Sequence, residues 1–175
     1  GFFGATTSQT KCCLSECPAA TFSLAGATVC TNCAAGKFSG GGKSSCTSCV
    51  AGTYSAAKSS VCKTATPGSY VSTIGASVQT ATPAGYFNGK SGAKTGTAFP
   101  CPAGKFSAVG SIFCTICPAG TYAGSTGTKT CKNCALGSYS IGGATVCTKA
   151  APGFCVEKEG ASSPSLVQAG FYGVP

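Results

Sequence analysis

The residues with chemistry to offer are cysteines. Fifteen stand in 175 residues, and they recur as Cys-x-x-Cys at Cys30/Cys33, Cys46/Cys49, Cys114/Cys117 and Cys131/Cys134. That spacing suits a zinc knuckle, a dithiol redox site, or the ends of successive disulfides. A redox pair acts singly in a helix-bearing fold, whereas these pairs tile the chain. Degenerate copies separate the other two readings. Cys62, Cys101 and Cys147 are half-pairs, with Ala65, Ala98 and Ala150 where the mate should be. A knuckle that loses one thiolate loses a ligand. A lost bridge should instead vanish at both ends: Ala65 with Val78, Ala81 with Ala98, and Ala150 with Ser163. The pattern therefore predicts bridges Cys17–Cys30, Cys33–Cys46, Cys49–Cys62, Cys101–Cys114, Cys117–Cys131 and Cys134–Cys147, with no metal and no cofactor. Each would close a loop of about 14 residues, for roughly 3 kcal/mol of chain entropy.

Cys12, Cys13 and Cys155 are left over, and an odd total leaves one thiol without a partner inside the chain. One reading is an inter-chain bond from Cys155 of one copy to Cys12 or Cys13 of the next. The other is a local pairing at Cys12 or Cys13 plus a free thiol.

Catalytic residues are scarce. There is no His to act as a base, no Asp, and the three acids are Glu16, Glu157 and Glu159, two of them flanking Lys158. These make no acid/base pair. Gly40-Gly41-Gly42-Lys43-Ser44 has a phosphate-loop flavour but not the spacing, and it falls inside a predicted disulfide loop, where it reads as a hairpin tip. An enzyme is not expected.

The elements that position the cysteines follow from the repeat. In Cys33–Cys49 a cysteine is followed by glycine at +3, an aromatic at +5, serine at +6, a polar Gly/Ser loop, and a Cys-x-x-Cys that opens the next copy. The aromatics run Phe22, Phe38, Tyr54, Tyr70, Tyr86, Phe106, Tyr122, Tyr139 and Phe171, mostly at a step of about 16 residues, with Cys155 in one slot. Glycine precedes the aromatic by two in most copies, which marks a turn that side chains resist. Each copy reads as turn, short strand, loop and return strand, and no helical period persists. The predicted fold is small, disulfide-rich and mostly β or irregular: an elongated, solenoid-like ladder of hairpins about 16 residues long, without a helical core.

A longer period overlies the short one. Gly75-Ala76-Ser77 recurs as Gly160-Ala161-Ser162, and Ala84-Gly85-Tyr86-Phe87 as Ala169-Gly170-Phe171-Tyr172. This divides the chain into a first five-repeat block, 1–84, with bridged repeats over 17–62 and cysteine-free ones over 63–84. The second block, 85–169, has bridged repeats over 101–147, and 170–175 starts a third block or forms an assembly tip.

Composition sets the compartment. Cysteine above 8% is scaffold composition, and a cytosol would keep such thiols reduced, so an extracellular or cell-surface home is expected. Large aliphatic residues are few, and cross-links must replace part of the missing burial. No apolar run is long enough to span a membrane, and any signal peptide has been removed or lies outside this chain. Asn32, Asn88 and Asn133 are not in N-glycosylation sequons, but abundant Ser and Thr permit O-linked glycans. The net charge is +9, carried by scattered lysines. That reads as a solvated cationic surface or as contact with acidic polysaccharide, and not as a nucleic-acid stripe.

Repeats such as CPAGKFSAVGSIFCTIC (Cys101–Cys117) and CPAGTYAGSTGTKTCKNC (Cys117–Cys134) resemble the cysteine-rich repeats of tumour necrosis factor receptor and ephrin-receptor ectodomains. They are similar to the versions tiled through surface proteins of ciliates and other protists. In such modules the cysteine before the glycine bonds the one that ends the loop, in agreement with the pairing above. This chain differs in lacking the extra cysteines of a full receptor repeat and in its cysteine-free stretch at 65–100. Two functions compete. The first is a structural extracellular protein, a protomer or segment of a repetitive fibre or surface coat that assembles head to tail with copies of itself. Its candidate contacts are Phe2, Phe3, Cys12, Cys13, Cys155, Phe171 and Tyr172. The second is a receptor or adhesin ectodomain that binds a protein or glycan.

Overall fold

The computed structural model describes residues 1–4, 14–97 and 99–170. Among them there are no helices, only short strands in nine two-stranded sheets. β1 (Phe2–Gly4) pairs with β2 (Leu14–Glu16), β3 (Thr21–Phe22) with β4 (Thr31–Asn32), β5 (Lys37–Phe38) with β6 (Thr47–Ser48), and β7 (Thr53–Tyr54) with β8 (Lys63–Thr64). β9 (Ser69–Tyr70) goes with β10 (Thr80–Ala81), β11 (Lys105–Phe106) with β12 (Thr115–Ile116), and β13 (Thr121–Tyr122) with β14 (Lys132–Asn133). β15 (Ser138–Tyr139) with β16 (Thr148–Lys149) and β17 (Phe154–Cys155) with β18 (Ser165–Leu166) complete the set. The protein is a ladder of disulfide-rich hairpins, and each hairpin is called a rung below.

From β3 onward the rungs are entered through the same turn. The amide of Lys37 donates to the Ala34 carbonyl at 3.1 Å, Thr53 to Val50 at 3.0 Å and Lys105 to Pro102 at 3.1 Å, each with a glycine at positive φ just before the donor (Gly36, Gly52 and Gly104). This is a type II turn, whose third residue needs that conformation. One rung breaks the rule: Ala20 holds the glycine position at φ 72°. A left-handed alanine costs about 1–2 kcal/mol, part of which a glycine would lose again to unfolded-chain entropy. Ala20→Gly is therefore expected to stabilise the chain by about 0.5–1 kcal/mol, seen as a higher thermal midpoint. A lower midpoint would refute the strain.

Successive rungs are joined by the backbone. Cys49 donates to the carbonyl of Gly36 in the rung before (2.9 Å), and Gly52 donates to Val71 in the rung after (2.8 Å). The Cys49 carbonyl accepts from Gly75 (2.7 Å), and Ser55 donates to Ala76 (3.2 Å). The set recurs around Cys117: Cys117 to Gly104 (3.0 Å), Gly120 to Ser140 (2.8 Å), Gly143 to Cys117 (2.8 Å) and Ala123 to Ala144 (3.0 Å).

The interior is correspondingly thin. In eight rungs one buried position is the first cysteine or its substitute: Cys17, Cys33, Cys49, Ala65, Thr82, Cys101, Cys117 and Cys134, each at most 1% exposed. The residue after the aromatic is the other, usually a serine, with Val71, Asn88, Ala123 and Val156 as variants. The slot admits small or medium side chains, polar or apolar, and three of the serines placed there have a satisfied hydroxyl. Ser55, Ser107 and Ser140 each donate through Oγ to a carbonyl of the preceding rung, those of Lys37, Tyr86 and Thr121. Paired in this way, a buried hydroxyl escapes its desolvation penalty.

The cysteine-free rungs correct two details of the sequence reading. Thr82, not Ala81, fills the buried cysteine position: its carbonyl accepts from Gly110 as Cys101 accepts from Gly127, while Ala81 is exposed. The ring of that rung is accordingly Phe87 and not Tyr86. Gly85 makes the turn, Tyr86 donates to Pro83, and Asn88 takes the buried serine place. Without a cysteine to mark the start, the spacing slips by one. These rungs close by other means. Phe87 packs on Phe99 with ring centroids 5.7 Å apart. In the other, the Gln79 side chain accepts from the Thr66 amide (2.8 Å) and donates to Thr66 Oγ1 (2.9 Å) across 13 residues.

Thr82 is poorly matched to its slot, because its Oγ1 is fully buried and has no hydrogen-bond partner. An orphaned buried hydroxyl costs about 1–3 kcal/mol. Thr82→Val, which keeps the shape, is expected to raise stability by about 1 kcal/mol and to slow amide exchange at Gly110. Faster exchange would contradict this.

By contacts the chain forms two compact units. One comprises residues 1–80 and 90–95, and the other 81–89 and 96–175. Residues 90–95 belong to the first unit because Gly92 donates to the Ala65 carbonyl and Ala93 accepts from Val71. The blocks 1–84 and 85–169 expected from the sequence do not coincide with these units.

Candidate functional site

The cysteines occupy two positions of different character. Bonds join Cys17 to Cys30, Cys33 to Cys46, Cys49 to Cys62, Cys101 to Cys114, Cys117 to Cys131 and Cys134 to Cys147. Cα–Cα distances are 5.6–5.7 Å. The first member of each is fully buried and the second half-exposed. Each cystine thus ties the interior to the return strand, across a loop 13 or 14 residues long in sequence. Oxidised pairs cannot ligate metal as thiolates, and no three Cys or Glu side chains converge among the described residues.

Cys155 carries a free thiol, half-exposed, in the ring position of its rung opposite Ser165. A thiol is far smaller than a ring, and this rung also has Ala150 and Ser163 in the two cystine places. The result is an open hollow of about 1300 Å³ whose lining includes Leu136, Lys149, Phe154, Glu157 and Leu166. It offers apolar floor and scattered charge, with no acid/base pair. Of the other assembly residues named from sequence, Phe2 and Phe3 lie on β1, opposite Glu16 and Ser15. Cys12, Cys13, Phe171 and Tyr172 lie outside the described residues.

The outer faces mix scattered lysines with exposed apolar side chains. First strands are half-buried, while the return strands β4, β8, β12, β14, β16 and β18 are exposed at both residues. Large apolar side chains stand in solvent beside them, among them Val29, Val61, Phe113 and Val146 at 64–70% exposure. Sequence reasoning found the rings and cysteines but not this division into a used and an unused strand face. The signal was present as threonine or lysine directly after the second cysteine.

Residues 104–146 match the family described as tyrosine-protein kinase ephrin type A/B receptor-like. The matched stretch runs from the turn glycine of the Cys101–Cys114 loop through the whole Cys117–Cys131 loop and ends one residue short of Cys147. The chain is a cysteine-rich repeat protein, and its matched repeats are similar to the ephrin-receptor-like kind. No curated protein matches it. The matched family is a receptor-like cysteine-rich repeat, and six cystines in tandem repeats suit an oxidising, extracellular or surface setting. Among the described residues no helix is long and apolar enough to cross a membrane.

Proposed function

We propose that this cysteine-rich repeat protein is structural: a protomer or segment of a repetitive extracellular fibre or surface coat that continues head to tail. The observation that carries this reading is the sameness of the rung interfaces. Most interior rungs offer a turn-residue amide, a cysteine-position carbonyl and a serine-position amide to the next, and receive the same from the one before. A ladder bonded in this way stacks by nearest-neighbour contacts alone, and a heterologous contact that does not close generates a filament. The rungs of one copy can therefore follow those of another with no new kind of contact. The blocks 1–84 and 85–169 are then two periods of one continuing array. Phe2, Phe3, Phe171 and Tyr172 meet between copies, and Cys155 bonds Cys12 or Cys13 of the neighbour. Chains dissociated and returned to native buffer should regrow into long assemblies under negative-stain microscopy, and lasting monomers would reject the proposal. Non-reducing electrophoresis tests the inter-chain bond separately: covalent oligomers are expected, and monomer alone counts against it.

The ephrin-receptor-like match favours a second reading, an ectodomain that binds a protein or glycan, including an acidic polysaccharide attracted by the lysines. That reading predicts a soluble monomer with saturable, salt-sensitive binding.

A further inference from the structure

Some hydroxyls of this chain are engaged within the fold. Thr21, Thr53 and Thr121, on first strands, each donate at 2.7 Å to the carbonyl three residues back. Ser55, Ser107 and Ser140 are buried and bonded to the preceding rung. The threonine directly after the second cysteine is different. Thr31, Thr47, Thr115 and Thr148 are exposed on return strands, and their hydroxyls make no hydrogen bond among the described residues. Each stands directly opposite a half-buried ring: Thr31 opposite Phe22, Thr47 opposite Phe38, Thr115 opposite Phe106 and Thr148 opposite Tyr139. Directly opposed residues of an antiparallel pair share one face, with Cβ atoms about 4.5–5.5 Å apart.

We infer that Thr31, Thr47, Thr115 and Thr148 are sites of O-glycosylation, with the first sugar lying against the ring opposite. Three observations converge on this. The hydroxyl is free and exposed. It is held on a hairpin fixed by a cystine at the preceding residue, which gives a transferase the same presentation four times. An apolar ring beside it offers a surface for the C–H face of a pyranose, and exposed Val29, Phe113 and Val146 stand two residues upstream of Thr31, Thr115 and Thr148. There is also a need for such a cover. Charged residues make up only 9% of the chain, while Val, Ile, Leu and Phe side chains stand in solvent on many rungs. An apolar surface with so little charge associates unless something hydrates it. In the transfer, threonine Oγ1 bonds to the anomeric carbon of a nucleoside-diphosphate or polyprenyl-phosphate sugar. The bond from that carbon to the phosphate oxygen breaks with its electron pair on the phosphate, and the hydroxyl proton goes to a base on the transferase.

The chain contains its own controls. Lys63 and Lys132 take the same place opposite Tyr54 and Tyr122 and have no hydroxyl, and the turn threonines have hydroxyls that are already bonded. The test is peptide mapping of the native, secreted protein by electron-transfer mass spectrometry, which keeps O-linked sugars attached. Hexose or N-acetylhexosamine mass increments are expected on Thr31, Thr47, Thr115 and Thr148 and not on Thr21, Thr53 or Thr121. Replacing the four by valine in a glycosylating host should remove those increments from the intact mass. Unmodified peptides at two or more of the four sites, or equal modification of the turn threonines, would overturn the inference.

Discussion

Full reduction is expected to unfold the bridged rungs even in the absence of denaturant. Each cystine closes a loop of 13 or 14 residues, for which chain entropy gives roughly 3 kcal/mol. Six such contributions together exceed the 5–15 kcal/mol of net stability that is typical of a folded domain. The interior cannot make up the loss, because it is one small residue wide: cystine sulfur, alanine, serine or valine at each rung. Ordinary proteins of this length bury leucine and phenylalanine instead, but here Leu24, Leu136, Ile141 and Leu166 are exposed. The check is native hydrogen exchange with and without a thiol reductant. Reduction should release the Cys49, Cys117 and Cys134 amides, which donate to the turn glycines of the preceding rungs. If those amides stay protected after reduction, backbone stacking holds the ladder and the cystines are secondary. A narrower version replaces Cys49 and Cys62 together by alanine, with an expected loss of about 2–5 kcal/mol concentrated in one rung.

Gly120→Ala should rival this from a single added methyl group. Gly120 is buried at φ 85°, and its Cβ would run into the carbonyl of Gly160. Its amide donates to Ser140 and its carbonyl accepts from Cys134. The residue is thus fixed by turn geometry, by close approach and by two inter-rung bonds, and the backbone it would strike is itself tied to the Cys134 carbonyl through the Gly160 amide at 2.9 Å. The expected cost is on the order of 3–5 kcal/mol. Gly137→Ala is the matched control: φ is 74°, but the added methyl meets nothing within 4 Å. Only the left-handed penalty applies there, about 1–2 kcal/mol. Thermal melts of the two variants should differ clearly, with Gly120→Ala the lower. Equal midpoints would mean that close stacking adds nothing beyond turn strain.

Much of this architecture can be read in the residues. The hairpin, its turn glycine and the absence of helix follow from Cys33, Gly36, Phe38 and Cys46 recurring at fixed steps, because a disulfide and a positive-φ glycine each demand one local geometry. Legibility fails where those markers are missing. Between Cys62 and Cys101 nothing fixes the register, so Tyr86 reads as the ring when Phe87 fills that place and Thr82 the cysteine position. The buried serine was visible as a recurring residue. Its burial was not, because a polar residue in an interior is legible only once its hydroxyl partner in the neighbouring rung is known. The stacking itself depends on backbone amides and carbonyls, which every sequence has, and so leaves no mark except the glycines that let rungs approach. The candidate site was the least legible part. Which threonines are free depends on which hydroxyls the fold has already used.

The measurement closest to the centre of this account is peptide mapping of the unreduced chain at acid pH, where thiols do not exchange. The account predicts six cross-linked pairs, each joining the cysteine before a turn glycine to one 13 or 14 residues on, with Cys155 outside all six. Bonds within Cys30-x-x-Cys33 or Cys131-x-x-Cys134 would contradict it. Cystines closed that way would leave every hairpin open.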